Sequence, residues 1–318
     1  MIESFPPGYM DSLALGYSEL RKINDQIIVT SITPFGDDGP YKDFKATDIV
    51  GMAMGGLLYT CGDPDRPPVA PSFPVAYLSA AAEAAVGTLM ALQWRWVAGR
   101  GTKVVVSLQD EALQTSWDAA INWVASRRIS KRSGAICERP NVNYRVIWPC
   151  KDGYVTFFYF GGQTGAPGNR AIVEWMSSEG IDCQSLKEQE WDSFDWDKIT
   201  QDEANRLEKP LAQFFMNHTK TELYEGAVER DIILYPLATA RDIVENPQLK
   251  AREFWEKVEH PELNTNVTYP GAFVKASETR CGIYNRAPLI GEHNQEIYMG
   301  ELGFSNEEML TLKQAGII

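Results

Sequence analysis

The chain has 318 residues, 44% of them apolar and 23% charged, with 43 acids against 30 bases and a formal charge of -13. That much apolar sequence supports a large core and two packing units, and it excludes a disordered chain. The negative balance argues against nucleic-acid and anionic-membrane partners, while leaving room for a local patch that takes an anionic ligand. No window of eighteen uncharged apolar residues occurs, so no membrane span is expected. The opening MIESFPPGYMDS has no basic start and no apolar run, so no secretory signal is read there. Cys61, Cys137, Cys150, Cys183 and Cys281 stand far apart, which predicts free thiols in a reducing cytoplasm. His218, His260 and His293 are also scattered, so no metal is expected.

In chain order, QIIVTSI at 26–32 is an apolar, β-branched run and reads as a buried strand. Pro34, Gly36, Gly39 and Pro40 force the loop that follows. A helix is predicted over 48–58, weakened by Gly51, Gly55 and Gly56. CGDPDRPP at 61–68 is turn and loop, and PVAYLSAAAEAAVGTLMAL at 74–92 enters a helix of small residues. GRGTKVVVSLQDEAL gives a turn, a strand at 103–108 and a helix from 110. Strand, helix, strand, helix with glycine-rich joints argues an α/β layer.

Past Arg127 the character changes. RRISKR at 127–132 is a dense basic cluster, read as solvated surface or as a phosphate contact. YRVIW and YVTFFYF, parted by PCKDG, alternate as antiparallel neighbours do. FGGQTGAPGNR at 160–170 reads either as a mobile cover over a site or as a long connection. Helices are predicted over 170–178, 202–217 and 220–230, the last opened by a capping box of Thr219 and Glu222. EQEWDSFDWDKI between them reads as a surface loop. In the tail, two short helices are expected around a break at Gly303, with Ser305 and Glu308 capping the second. The expected domains are a large one of 1–130 with 270–318 and a small one of 141–262.

The helix at 74–92 is the first place to look for chemistry. Ser79, Ala80, Ala81, Ala82, Ala84, Ala85 and Gly87 leave a shallow surface that another backbone or a flat ligand can approach. Tyr77, near its start, has a phenol with an ordinary pKa of about 10. It can donate to a carbonyl, but it is a poor stand-in for a carboxylate. Glu83 is the one carboxylate inside the helix and the alternative candidate.

Four stretches carry a likeness to a known family: IESFPPGYMDSLALGYSEL, SITPFGDDGPYKDFKATDIVGMAMGGLLYTCG, PVAYLSAAAEAAVGTLMALQWRWVAGRGTKVVVSL and APLIGEHNQEIYMGELG. In this order they resemble the class III CoA-transferase (CaiB/BaiF-like) family, the formyl-CoA and carnitine CoA-transferase group with its α-methylacyl-CoA racemase branch. The resemblance implies an α/β fold with a Rossmann-like large domain, incomplete at its N-terminus, and a smaller α+β domain, two chains being interlinked as a dimer. It implies a further Rossmann unit ahead of IESFPPG that supplies much of the CoA nucleotide pocket. It also implies coenzyme A or acyl-CoA as substrate or ligand, with no tightly bound cofactor, and a CoA channel near Phe5, Gly36 and Met54.

The resemblance gives Tyr77 its meaning. In the family an aspartate normally stands in this slot, attacks the donor acyl-CoA, and later carries CoA as an aspartyl thioester to the acceptor acid. In the racemase branch a histidine stands where this chain has Thr47, and the aspartate is again the residue replaced by Tyr77. The chain is therefore expected to be a subunit of a CoA-transferase that moves CoA between a donor such as succinyl-CoA and a carboxylic acid. It would be non-catalytic itself, like one subunit of a benzylsuccinate-type heteromer. Its partners would be a second copy or an aspartate-containing sister in an obligate oligomer, with no nucleic acid and no membrane. The alternatives are an active CoA-transferase or acyl-CoA isomerase/racemase with altered catalytic residues, and an acyl-CoA binding protein.

Overall fold

The apolar, β-branched run after Asp25 pairs on both sides. In the computed structural model, which describes residues 1–139 and 141–318, β1 (Ile2–Glu3), β2 (Val29–Thr33) and β3 (Lys103–Ser107) form a parallel sheet in that order. Between β1 and β2 lie the short helices α1 (Tyr9–Ser12) and α2 (Tyr17–Ile23). After β2 come α3 (Asp48–Met54) and the long α4 (Val75–Ala98), and after β3 come α5 (Leu108–Thr115) and α6 (Trp117–Ser126). The small residues of α4 recur at helical spacing, so Ala76, Ala80, Ala84 and Ala91 form its buried side. There the Thr30 and Thr88 hydroxyls bond at 2.7 Å, and a Cβ on Gly87 would stand 2.9 Å from Val104 Cγ1. Met52, Ala76, Ala80, Val106, Leu108 and Ala112 make one core.

One expected boundary moves for a physical reason. The helix predicted over 48–58 ends at Met54, because Gly56 turns left-handed at φ 85° and starts a separate 3₁₀ turn, Leu57–Thr60. By length and composition α4 is apolar enough to cross a membrane, although Glu83 and Arg95 interrupt it. Its small-residue side packs in the α/β layer, and its outer side leaves Trp96 and Val97 exposed.

A second core lies further along the same unit. β4 (Ile136–Glu138) pairs antiparallel with β5 (Asn143–Arg145), and β6 (Ile147–Cys150), β7 (Gly153–Thr156) and β8 (Tyr235–Pro236) form a second small sheet. YRVIW is thus divided: Tyr144 pairs back to Cys137, and only Ile147 onward meets β7. Helices α7 (Gly162–Ser178), α8 (Gln184–Lys187), α9 (Gln201–Asn217) and α10 (Lys220–Glu229) complete it. The Thr219–Glu222 capping box is formed as expected, and Thr200 with Glu203 makes another.

Two sequence readings fail in this core. FGGQTGAPGNR is not a cover loop, since α7 begins at Gly162. The run needs small residues because a Cβ on Gly161 would collide with the Phe194 carbonyl, and one on Gly165 with Phe160. EQEWDSFDWDKI is not a surface loop either. Trp191, Phe194 and Trp196 are buried, Trp196 stacks on Tyr144 at 4.0 Å, and its indole N–H donates to the Tyr159 carbonyl at 2.8 Å. The acids of this stretch stay outside while its rings fill the core, so composition alone misleads.

Packing divides the chain after Leu237 into two compact units, Met1–Leu237 and Ala238–Ile318. In the second, β9 (Trp255–His260) and β10 (Thr265–Pro270) form an antiparallel hairpin. A π-helical segment, Gln295–Glu301, and a final helix, Asn306–Gln314, flank Gly303, with the Ser305–Glu308 capping box in place.

One carboxylate tests the packing of the aromatic core. Glu208 on α9 is half-buried, and burial pushes its carboxyl up, against the downward pull of the Arg145 N–H and the Arg145 charge. A raised native pKa means the folded chain favours the protonated form. The cost of ionising Glu208 is therefore absent below the ordinary carboxylate range and fully present once pH exceeds the raised native value. Glu208→Gln keeps an acceptor and removes the charge. In denaturant titrations the variant should match its parent near pH 4 and be the more stable of the two at pH 7. A variant no more stable than its parent at pH 7 contradicts this.

Candidate functional site

The site grows out of two glycines. A Cβ on Gly51 would stand 2.9 Å from Leu108 Cβ and 3.4 Å from Ala76 Cβ, and one on Gly55 would stand 2.6 Å from the Gln109 carbonyl. These glycines weaken α3 by propensity, yet they let it settle against α4 and α5. The close approach brings the first residue of α3 to the first turn of α4. Asp48 Oδ1 accepts the Tyr77 N–H at 2.9 Å. The first N–H groups of a helix have no partner within it, and Pro74 offers α4 no side-chain cap. Asp48 supplies one from outside, with its negative charge at the favourable end of the helix.

Tyr77 is 45% exposed and lines an open cavity of about 370 Å³ together with Thr47, Asp48, Ile49, Phe73 and Pro74. Asp48 is the one carboxylate among the described residues lining it. Glu83 is not in this cavity. It stands on the exposed side of α4 beside α5, where burial first, then the charges of Glu83 and Asp110, push the Glu111 carboxyl up.

Phe5, Gly36 and Met54 fall at one edge of the sheet. Phe5 follows the C-terminal end of β1 and packs its ring on Tyr9 at 4.9 Å, while Gly36 follows the end of β2 at φ 87°. Gln109, at the start of α5, binds the third: its N–H donates to the Pro34 carbonyl and its side-chain amide to the Met54 carbonyl, each at 3.2 Å. This is the edge at which open α/β sheets bind ligands. Asp48 and Gln109 were missed in the sequence. For Asp48 an acid opening a helix was the available signal, and for Gln109 there was none.

The RRISKR cluster divides its work. Arg132 donates to the Tyr59 carbonyl at 3.0 Å and lies over the Tyr59 ring, and Arg127 lies over Trp123. Among the described residues none of its four cations forms an ion pair, and no group of three or more His, Cys, Asp or Glu is placed to hold a metal.

Known proteins resemble this chain in sequence and in fold. The model of CoA-transferase family III matches residues 1–294. The chain belongs to CoA-transferase family III. It is 31% identical over 326 residues to the succinyl-CoA:(R)-benzylsuccinate CoA-transferase subunit BbsE of Thauera aromatica, covering all of this chain and 76% of that one. It is 31% identical over 330 residues to the formyl-CoA:oxalate CoA-transferase of Streptomyces avermitilis, covering all of this chain and 78% of that one. The crystal structure of a CAIB/BAIF family protein from Brucella suis superposes with a TM-score of 0.74 at 23% identity, over 94% of this chain and 74% of that one. The mixed helix-and-sheet architecture is thus the class III CoA-transferase fold, and membership supports a CoA-transferase role with CoA thioesters as substrates.

The crossing of α3 makes a direct prediction. Gly55→Val sets a branched side chain against Ala112 and the Gln109 carbonyl, and should cost about 1–3 kcal/mol by forcing α3 outward. Hydrogen exchange at the Tyr77 amide should accelerate with it. A destabilised variant whose Tyr77 amide keeps its parent rate would show that Asp48 reaches α4 without the glycine crossing.

Proposed function

We propose that this chain is a subunit of a CoA-transferase that moves CoA between an acyl-CoA donor, such as succinyl-CoA, and a carboxylic acid, and that it does not itself carry the covalent step. The observation that bears the proposal is Tyr77. On this reading the phenol occupies the slot of the family's nucleophilic aspartate, in the first turn of α4, with its amide held by Asp48. A carboxylate in that slot can take an acyl group as a mixed anhydride and then carry CoA as a thioester, whereas a phenol can form neither. An aspartate-bearing sister subunit then supplies the covalent residue, in the cytoplasm. Phe5, Gly36 and Met54 line the CoA channel on this reading, which their shared place at the C-terminal edge of the sheet supports.

Purified alone and incubated with succinyl-CoA and a panel of carboxylic acids, the chain should form no new thioester at an enzymatic rate, as followed by mass. Tyr77→Asp should gain transfer, because the helix start around it is intact. Robust turnover by the unaltered homomer removes the proposal.

The exposed surface supports an obligate oligomer. Trp96 and Val97 on α4 and Trp117 and Val124 on α6 are 59–75% exposed, an amount of apolar surface that single soluble chains rarely leave open. Light scattering should give no stable monomer for the isolated chain, and co-expression with an aspartate-bearing family relative should give a defined complex. A monodisperse, folded monomer in both experiments would favour a stand-alone acyl-CoA binding protein.

A further inference from the structure

Residues 271–292, which follow β10, contain neither helix nor strand. Apart from the Gly271 N–H, which donates to the Phe254 carbonyl at 2.8 Å, no backbone N–H of this segment bonds to backbone outside it among the described residues. Its large apolar side chains Phe273 and Ile290 are fully exposed, and only Ala272 and Ile283 among its apolar residues are even partly buried. Side-chain clasps do the fastening. Glu256 on β9 accepts the Ile283 N–H at 2.9 Å, with Gly271 and Gly282 packed so closely on its carboxylate that a Cβ on Gly282 would stand 2.7 Å from it. Arg286 is the second clasp. Its Nε meets Glu262 at 3.1 Å, and its two terminal nitrogens donate to both oxygens of Glu292 at 2.9 and 2.7 Å. Glu292 also accepts the Leu289 N–H at 2.7 Å.

The second clasp is anchored in the hairpin. The other oxygen of Glu262 meets His260 Nδ1 at 2.8 Å, and His260 Nε2 meets the Tyr269 hydroxyl at 3.0 Å, so Arg286 is tied through two side chains to both strands. Hairpin and segment together wall an open cavity of about 820 Å³, with Lys257 and Glu259 on one side and Arg280 and Tyr284 on the other. We propose that residues 271–292 are a strap that leaves the hairpin as one unit, fastened by Glu256 and Arg286, and that its release removes one wall of this cavity. A segment held by charge-assisted hydrogen bonds at two points, and by almost no ladder or core, is drawn from the low-stability end of a fold.

The direction with pH follows from the groups that face the clasp. Glu262 and Glu292 face Arg286, His260 and Tyr269 stand behind Glu262, and Lys257, Glu259, Arg280, His293 and Glu296 line the cavity beside it. The Glu262 carboxyl is held below its ordinary range by a backbone N–H, its own, and by His260, and the Glu292 carboxyl by Arg286 and the Leu289 N–H. Lowered native values mean that the clasp is complete above the ordinary carboxylate range and is lost as pH falls through them.

Residue-resolved hydrogen exchange on the full chain tests the strap, and it needs no substrate. Arg286→Gln touches the clasp next to Leu289, and Glu256→Met touches the one next to Ile283. If the strap moves as a unit, either substitution should speed exchange at both amides by about tenfold or more, while the paired residues of the hairpin keep their parent rates. Acceleration confined to the amide beside each substitution would overturn the proposal, because the two clasps would then open separately. Loss of protection throughout the hairpin would overturn it as well, because the clasps would then be part of the fold's support.

Discussion

Everything around the candidate site depends on how closely α3 lies on α5. The approach is closer than a side chain allows, and two glycines, Gly51 and Gly55, make it possible. From it follow the Asp48 carboxylate at the first turn of α4, the fixed backbone of Tyr77, and the tie from Gln109 to Met54 at the other end of α3. A seven-residue helix with Gly51 at its centre and Gly55 and Gly56 just beyond its end would be unstable by propensity alone. Here tertiary packing overrides propensity, and the residues that weaken the helix are the ones that position it.

This separation of scaffold from reactive group fits a subunit that has kept its shape. The helix start and its external cap are built, and on the proposed reading the side chain at 77 is the part that does not suit acyl transfer. A tyrosine there can hydrogen-bond a carbonyl or fill space against Phe73, but it offers no carboxylate to take an acyl group. On the proposed reading the chemistry is then divided between unlike chains. The exposed tryptophans of α4 and α6 give such a chain reason to be bound to another.

How much of this was legible in the sequence varied with the kind of interaction. The parallel α/β layer could be read, because QIIVTSI and KVVVS are buried strands and the alanines between them recur at helical spacing. Capping boxes at Thr219 and Ser305 could be read, because their geometry is local. The stretch EQEWDSFDWDKI could not, because its rings are buried by distant partners, Trp196 by Tyr144 and, across 37 residues, by Tyr159. FGGQTGAPGNR misled for the same reason: its glycines answer to Phe160 and Phe194 rather than to a need for motion. In the site, the family likeness pointed to Tyr77, but Asp48 acts on it across 29 residues and Gln109 joins three segments, and no local pattern announces such contacts.

The most direct test is to locate the covalent intermediate. The chain would be co-expressed with an aspartate-bearing relative, and the complex exposed to succinyl-CoA with hydroxylamine as trap. Peptide mass mapping would then show which residue is converted to a hydroxamate. The account predicts a single modified carboxylate, on the partner, and none in this chain. A hydroxamate on Asp48, Glu83 or any other carboxylate of this chain, or an acyl group on Tyr77, would contradict it.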